Sequence, residues 1–154
     1  MSITVLEPGP LTTVQDAGRI GYAAQGYRSC GAADRYAYRL GNALLGNAET
    51  AAVLECTLCG AALRFEADTV FALTGADSRA TLDGVPVPFY APLYAKAGSV
   101  LRMGASLTGL RSYLAVGGGM ATPPVLGSRS TDVKCQIGGL AGRRLQKGDT
   151  LPVG

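Results

Sequence analysis

Along most of this chain, apolar residues come in short runs rich in Val, Leu, Phe, Tyr and Thr, separated by clusters of Gly, Pro, Asp and Ser. Runs of roughly four to eight such residues between turn formers are the mark of β-strands. The pattern predicts strands over residues 3–6, 11–16, 52–58, 61–66, 69–74, 79–82, 85–90, 93–96, 99–103 and 111–117. Glu7-Pro8-Gly9-Pro10 separates the first two, and Leu82-Asp83-Gly84-Val85 is the clearest hairpin, because Asp-Gly supplies the positive φ angles of a type I′ turn. Many short strands at this spacing suggest a closed or nearly closed antiparallel barrel, which leaves no exposed edge.

One segment breaks the rhythm. Residues 33–46 predict the single principal helix, with Tyr36, Leu40, Ala43 and Leu44 as its apolar stripe and Arg35 and Arg39 on another face. Asp34 falls in the first turn, where a carboxylate complements the positive end of the helix dipole. Gly46-Asn47 is a natural stop. Gly41 and Gly46 have the spacing of a phosphate-binding loop, but Asn47 and Ala48 stand where Lys and Ser or Thr are needed, so Gly41 reads instead as a place for close backbone packing. Residues 117–149 lack strand pattern, and a long irregular segment inside one domain is usually either functional or disordered.

Composition narrows the chemistry. Apolar residues make up 47% and charged residues 16% of 154 positions, which fits one folded domain. A net charge of +3 is too small to indicate nucleic-acid binding, no apolar run is long enough to span a membrane, and the cytoplasm is the expected location. There is no histidine, which removes the commonest general base and metal ligand. Cys56 and Cys59 have CxxC spacing, but they lie in a strand-like run with no second pair, so both read as structural thiols and no metal site is expected.

Three places carry candidate chemistry. Leu126-Gly127-Ser128-Arg129-Ser130-Thr131-Asp132 combines hydroxyls, a guanidinium and a carboxylate in a glycine-rich setting. Such a loop either holds an anion or satisfies its own backbone groups. Asp16-Ala17-Gly18-Arg19 pairs opposite charges beside a glycine. Glu55 stands in an apolar strand, so if it faces inward it is paired or protonated.

Taken in order, several strings resemble the family of 5-oxoprolinase C subunits (the KipA family). They are Leu11 to Arg19, Gly31-Ala32-Ala33-Asp34, Asn42 to Asn47, Leu73-Thr74-Gly75-Ala76, Tyr113 to Gly119, Leu126 to Asp132 and Gly148-Asp149. Cys30 stands where that family commonly has serine. The resemblance implies a cyclophilin-like β-barrel with long irregular loops, and residues 1–154 as the first of two subdomains, the second being absent. It implies a component of an ATP-dependent 5-oxoprolinase that works with a KipI-like B subunit and a LamB/YcsF-like A subunit and is inactive alone. The family also implies two alternatives: the biotin-dependent carboxyltransferase region of urea carboxylase, and a non-catalytic regulator that binds a KipI-like kinase inhibitor. Carried over by motif, Gln15, Asp16 and Arg19 lie near substrate or partner, Asp34 and Asn42 border the same cleft, and Ser128, Arg129, Ser130 and Thr131 contact an anion.

Overall fold

The computed structural model describes residues 1–154. The strands are β1 (Ser2–Glu7), β2 (Leu11–Gln15), β3 (Val53–Thr57), β4 (Ala62–Phe65), β5 (Thr69–Gly75), β6 (Thr81–Leu82), β7 (Val85–Pro86), β8 (Pro92–Ala95), β9 (Val100–Arg102), β10 (Arg111–Val116) and β11 (Thr150–Pro152), with one helix, α1 (Arg35–Leu44). They form two open antiparallel sheets, ordered β11-β1-β4-β9-β6-β7 and β2-β3-β10-β5-β8. The expected barrel therefore does not close. Instead, Met120 bridges Ala52 and Val153 and so stitches the sheets at one corner.

The main core lies between the sheets. Ile3, Val5, Leu63, Phe65 and Leu101 from one meet Leu54, Phe71, Leu73, Leu114 and Val116 from the other. The Phe65 and Phe71 rings pack with centroids 5.2 Å apart. A second cluster, Ala32, Ala37, Tyr38, Val53, Tyr113 and Ala115, joins α1 to the outer face of the second sheet. That sheet is covered on both sides, so β3 and β10 are buried almost throughout, with no alternation of buried and exposed positions.

The free edge of β2 is protected by the irregular segment. Thr131 N–H donates to the Val14 carbonyl and Leu145 N–H to the Thr12 carbonyl, each at 2.9 Å, so the long loop supplies the pairing that a barrel neighbour would have given.

Several sequence expectations are corrected. The helix does not bury Tyr36, which is 76% exposed; its inward face is Ala37, Tyr38, Gly41 and Asn42. Small residues let α1 lie close on the sheet, with Thr74 Oγ1 donating to the Ala37 carbonyl at 2.8 Å. The strand expected over 85–90 stops at Pro86, because Pro88 lacks a donor and Tyr90 takes a φ of +63°. β11 went unforeseen: with only three residues, it carries no periodic signal of its own. The Asp83-Gly84 turn has φ of +51° and +84°, as type I′ requires.

The thiols divide by environment. Cys56 is buried and Cys59 half-buried, bent away by Leu58 at a φ of +65°. Burial pushes the Cys56 thiol up to about 11, despite the hydroxyl of Thr12 near its sulfur. In native protein at pH 8, a thiol reagent should label exposed Cys135 first and leave Cys56 unmodified until unfolding, which peptide mass mapping will read. Equal labelling of the two would refute this.

Candidate functional site

The residues singled out in the sequence fall into two groups. Gln15, Asp16, Arg19, Ser128, Arg129, Ser130 and Thr131 form one polar cluster where the end of β2 meets the irregular segment. Asp16 is its hub. Its carboxylate accepts from Ser128 Oγ at 2.7 Å, Ser130 Oγ at 2.5 Å, Gly18 N–H at 2.8 Å and Arg129 N–H at 2.6 Å. Thr131 Oγ1 donates to the Val14 carbonyl at 2.9 Å, and Gln15 Nε2 reaches Thr13 Oγ1 and the Thr131 carbonyl.

These bonds decide between the two readings of the loop. The hydroxyls of Ser128, Ser130 and Thr131 donate inward, to protein acceptors, so the segment satisfies itself. Arg19 is also internal: Nε donates to the Val125 carbonyl and Nη2 to the Ser130 carbonyl, both at 3.1 Å, while Nη1 is enclosed without a partner. Arg129 Nε donates to the Thr122 carbonyl at 2.7 Å. Its terminal nitrogens make no hydrogen bond within the protein, and Arg129 lines a cleft of about 390 Å³ with Asp16, Gly18, Tyr22 and Thr50. Of the proposed anion contacts, Arg129 is thus the group with donors to offer.

Burial pushes the Asp16 carboxyl up, but the hydroxyls of Ser130 and Ser128 and the two backbone N–H groups outweigh it, and the net shift is downward. Asp149, gripped by both terminal nitrogens of Arg143 at 2.7 and 2.8 Å, is lowered as well. A carboxyl depressed in the folded state contributes stability that is present above its unfolded value, near 3.9, and is lost as pH falls through the folded value. Urea midpoints should therefore hold from neutral pH to about 5 and drop below about 4. Asp16→Asn should flatten that drop; an unchanged acid limb in this variant would contradict the assignment.

Asp34 and Asn42 stand apart from the cluster, contrary to expectation. Asn42 is buried on α1, where Nδ2 donates to the Ala51 carbonyl at 2.9 Å and Oδ1 accepts from Asn47; this ties the helix end to the following loop. Asp34 is the N-cap itself, one position before the helix, and accepts from Ala37 N–H at 3.0 Å. It borders a different cleft, of about 490 Å³, with Gly75, Tyr90, Thr108, Leu110 and Arg111.

Beside that cleft lies a network that joins Glu55 to Ala33, Asp34 and Tyr113, with Arg111 as the member the sequence did not single out. Glu55 Oε2 accepts from Ala33 N–H and from the Tyr113 hydroxyl, each at 2.8 Å, and that hydroxyl accepts from Asp34 N–H at 2.7 Å. Burial is the main cause that raises the Tyr113 phenol, with the Glu55 charge adding to it, so it remains a donor at all physiological pH. Arg111 Nε lies 3.4 Å from Glu55 Oε1. Glu55 faces inward and is paired, one of the two outcomes expected of it. The signal that could have found Arg111 is a lone cation opening an apolar strand that pairs with the strand of Glu55.

Comparison with known proteins gives the architecture its context. The chain is 48% identical over 152 residues to the C subunit of 5-oxoprolinase from Escherichia coli, matching 99% of this chain and 49% of that protein. It is 40% identical over 151 residues to urea amidolyase of Saccharomyces cerevisiae, matching 97% of this chain and 8% of that protein. The crystal structure of Kluyveromyces lactis urea carboxylase superimposes with a TM-score of 0.97 at 39% identity, over 99% of this chain and 14% of that one. The chain thus spans about half the length of the 5-oxoprolinase polypeptide it matches. No helix is long and apolar enough to cross a membrane. Residues 25–154 match the family described as carboxyltransferase domain, subdomain A and B, and the chain belongs to that family.

Proposed function

We propose that this chain is the first subdomain of the C subunit of an ATP-dependent 5-oxoprolinase, which opens the lactam of 5-oxoproline to give glutamate. The observation that carries the reading is the 48% identity to the C subunit of the Escherichia coli 5-oxoprolinase, spread over 99% of the chain. The same name attaches to the Haemophilus influenzae relative, 44% identical over 149 residues. The site chemistry agrees. With no histidine, and with the Asp16 carboxylate occupied by four donors, the chain offers no free general base in this cluster. It offers cations beside two open clefts, which suits binding and orienting an anionic substrate while other polypeptides supply the remaining groups. Those polypeptides are a KipI-like B subunit and a LamB/YcsF-like A subunit, with ATP consumed by the complex.

The test is reconstitution. The C subunit that includes this chain, mixed with its A and B partners, should release glutamate from 5-oxoproline only when ATP is present. No glutamate from the full set would refute the reading. Carboxyl transfer from carboxybiotin to an amide such as urea is the second reading, favoured by the TM-score of 0.97 to urea carboxylase. It predicts instead that added biotinylated carrier and urea are required for turnover.

A further inference from the structure

We propose that the cleft beside the N-terminus of α1 binds a small carboxylate-bearing molecule, with Arg111 as the residue that holds the carboxylate. Arg111 lies in ion-pair range of Glu55 but is not hydrogen-bonded by it. None of the donors of Arg111 makes a hydrogen bond within the protein, and Nε and Nη1 are both enclosed. The side chain is 27% exposed, and Nη2 is the guanidinium nitrogen that is not enclosed. The nearby carboxylate does not account for it. Glu55 is only 3.4 Å away, but its other oxygen already takes the Ala33 N–H and the Tyr113 hydroxyl, and its contact with Arg111 lacks hydrogen-bond geometry. A guanidinium carries five N–H donors in one planar fork, and enclosing them without an acceptor is costly. A carboxylate in the cleft can accept from the open Nη2 and neutralise the guanidinium charge.

The surroundings match such a ligand. The volume of about 490 Å³ suits a small molecule. Tyr90 and Leu110, about half exposed, give the cleft apolar walls. Tyr90 adopts a φ of +63° and is fixed by its hydroxyl, which donates to the Gly75 carbonyl at 2.6 Å. At Gly75, with a φ of +83°, a Cβ would stand 2.5 Å from the Arg111 carbonyl oxygen, so this position admits no side chain. Asp34, on the same cleft, provides an acceptor for an N–H group of the ligand. Carboxylate at one end and N–H at the other describes an N-acyl or lactam amino acid. Glu55 and Tyr113 are positioning residues: they hold Arg111 and the start of α1 in place.

In naming 5-oxoproline as the ligand to try, the inference rests on the proposed activity; in naming the carboxylate site, it does not. The experiment is a calorimetric titration of the purified C subunit with 5-oxoproline and with 2-pyrrolidinone, which has the lactam but no carboxylate. Wild type should bind 5-oxoproline and bind 2-pyrrolidinone at least about tenfold more weakly. Arg111→Gln should lose about tenfold or more in affinity for the acid and leave 2-pyrrolidinone unchanged; Arg111→Lys, which keeps the charge and loses the fork, should fall between. Far-ultraviolet circular dichroism of each variant controls for folding. Equal binding of the two ligands by wild type, or full affinity in a folded Arg111→Gln, overturns the inference. A complex that turns over 5-oxoproline with a KM unmoved by Arg111→Gln overturns it too, while leaving the proposed activity standing. Binding through Arg111 in a complex that releases no glutamate supports the site and removes the activity.

Discussion

Replacing Asp16 by alanine should destabilise the protein by about 3 kcal/mol or more, because a buried charged acceptor vanishes and several donors lose their partner together. The donors are the hydroxyls of Ser128 and Ser130 and the N–H groups of Gly18 and Arg129, and they come from both sides of the junction between β2 and the irregular segment. Ser130 Oγ also accepts from Asp16 N–H at 3.0 Å, so the loss reaches the strand end itself. Asp16→Asn keeps the shape and one acceptor, and its cost should be smaller, about 1–2 kcal/mol. Urea unfolding at pH 7 checks both. Amide exchange should quicken at Gly18 and Arg129 in the alanine variant and stay slow in the sheet core. A midpoint for Asp16→Ala indistinguishable from wild type would mean that the network contributes nothing net.

Gly41→Val should be the second severe change, at about 2–3 kcal/mol. A Cβ at Gly41 would lie 3.2 Å from Ala115 Cβ and 3.2 Å from Thr74 Oγ1. Both neighbours are on central strands of the second sheet, which cannot retreat without disturbing the main core behind them. The branched methyls of valine would push α1 outward and break the bond from Thr74 Oγ1 to the Ala37 carbonyl. Gly41→Ala sets a tight contact against a helix-propensity gain of about 1 kcal/mol, so it should cost far less. Thermal melts separate the two. Near-ultraviolet circular dichroism should also change in the valine variant, since Tyr38 and Tyr113 pack at this junction. Equal stability of the alanine and valine variants would show that helix and sheet are not in close apposition.

The two predictions also mark what could be read from the residues. Asp83-Gly84 determined its hairpin because the turn type needs two positive φ angles, a local requirement. Asp34 could be placed at the start of the helix, and Gly41 could be read as a packing glycine, for equally local reasons. The buried face of α1 could not. Tyr36 and Leu40 were the expected stripe, yet the face that meets the sheet carries Ala37 and Gly41 beside Tyr38 and Asn42. Close approach at Gly41 decided the contact, and the pattern of apolar positions does not register it.

The same division holds for the site. Asp16 and the 128–131 loop were visible as a polar string, but whether their hydroxyls turn inward or toward a ligand depends on a carboxylate more than a hundred residues away in sequence. The cleft of Arg111 gathers residues from four separated stretches, around positions 34, 75, 90 and 110, and no one stretch is distinctive. By itself the sequence determined strand-rich content, one helix, its main turns and its family, because these follow from backbone preference and from strings of adjacent residues. Tertiary structure alone decided that the sheets stay open with the loop covering one edge, and which polar groups find partners. Both outcomes depend on long-range pairing, since a donor is satisfied or orphaned only by what the fold brings within about 3 Å of it.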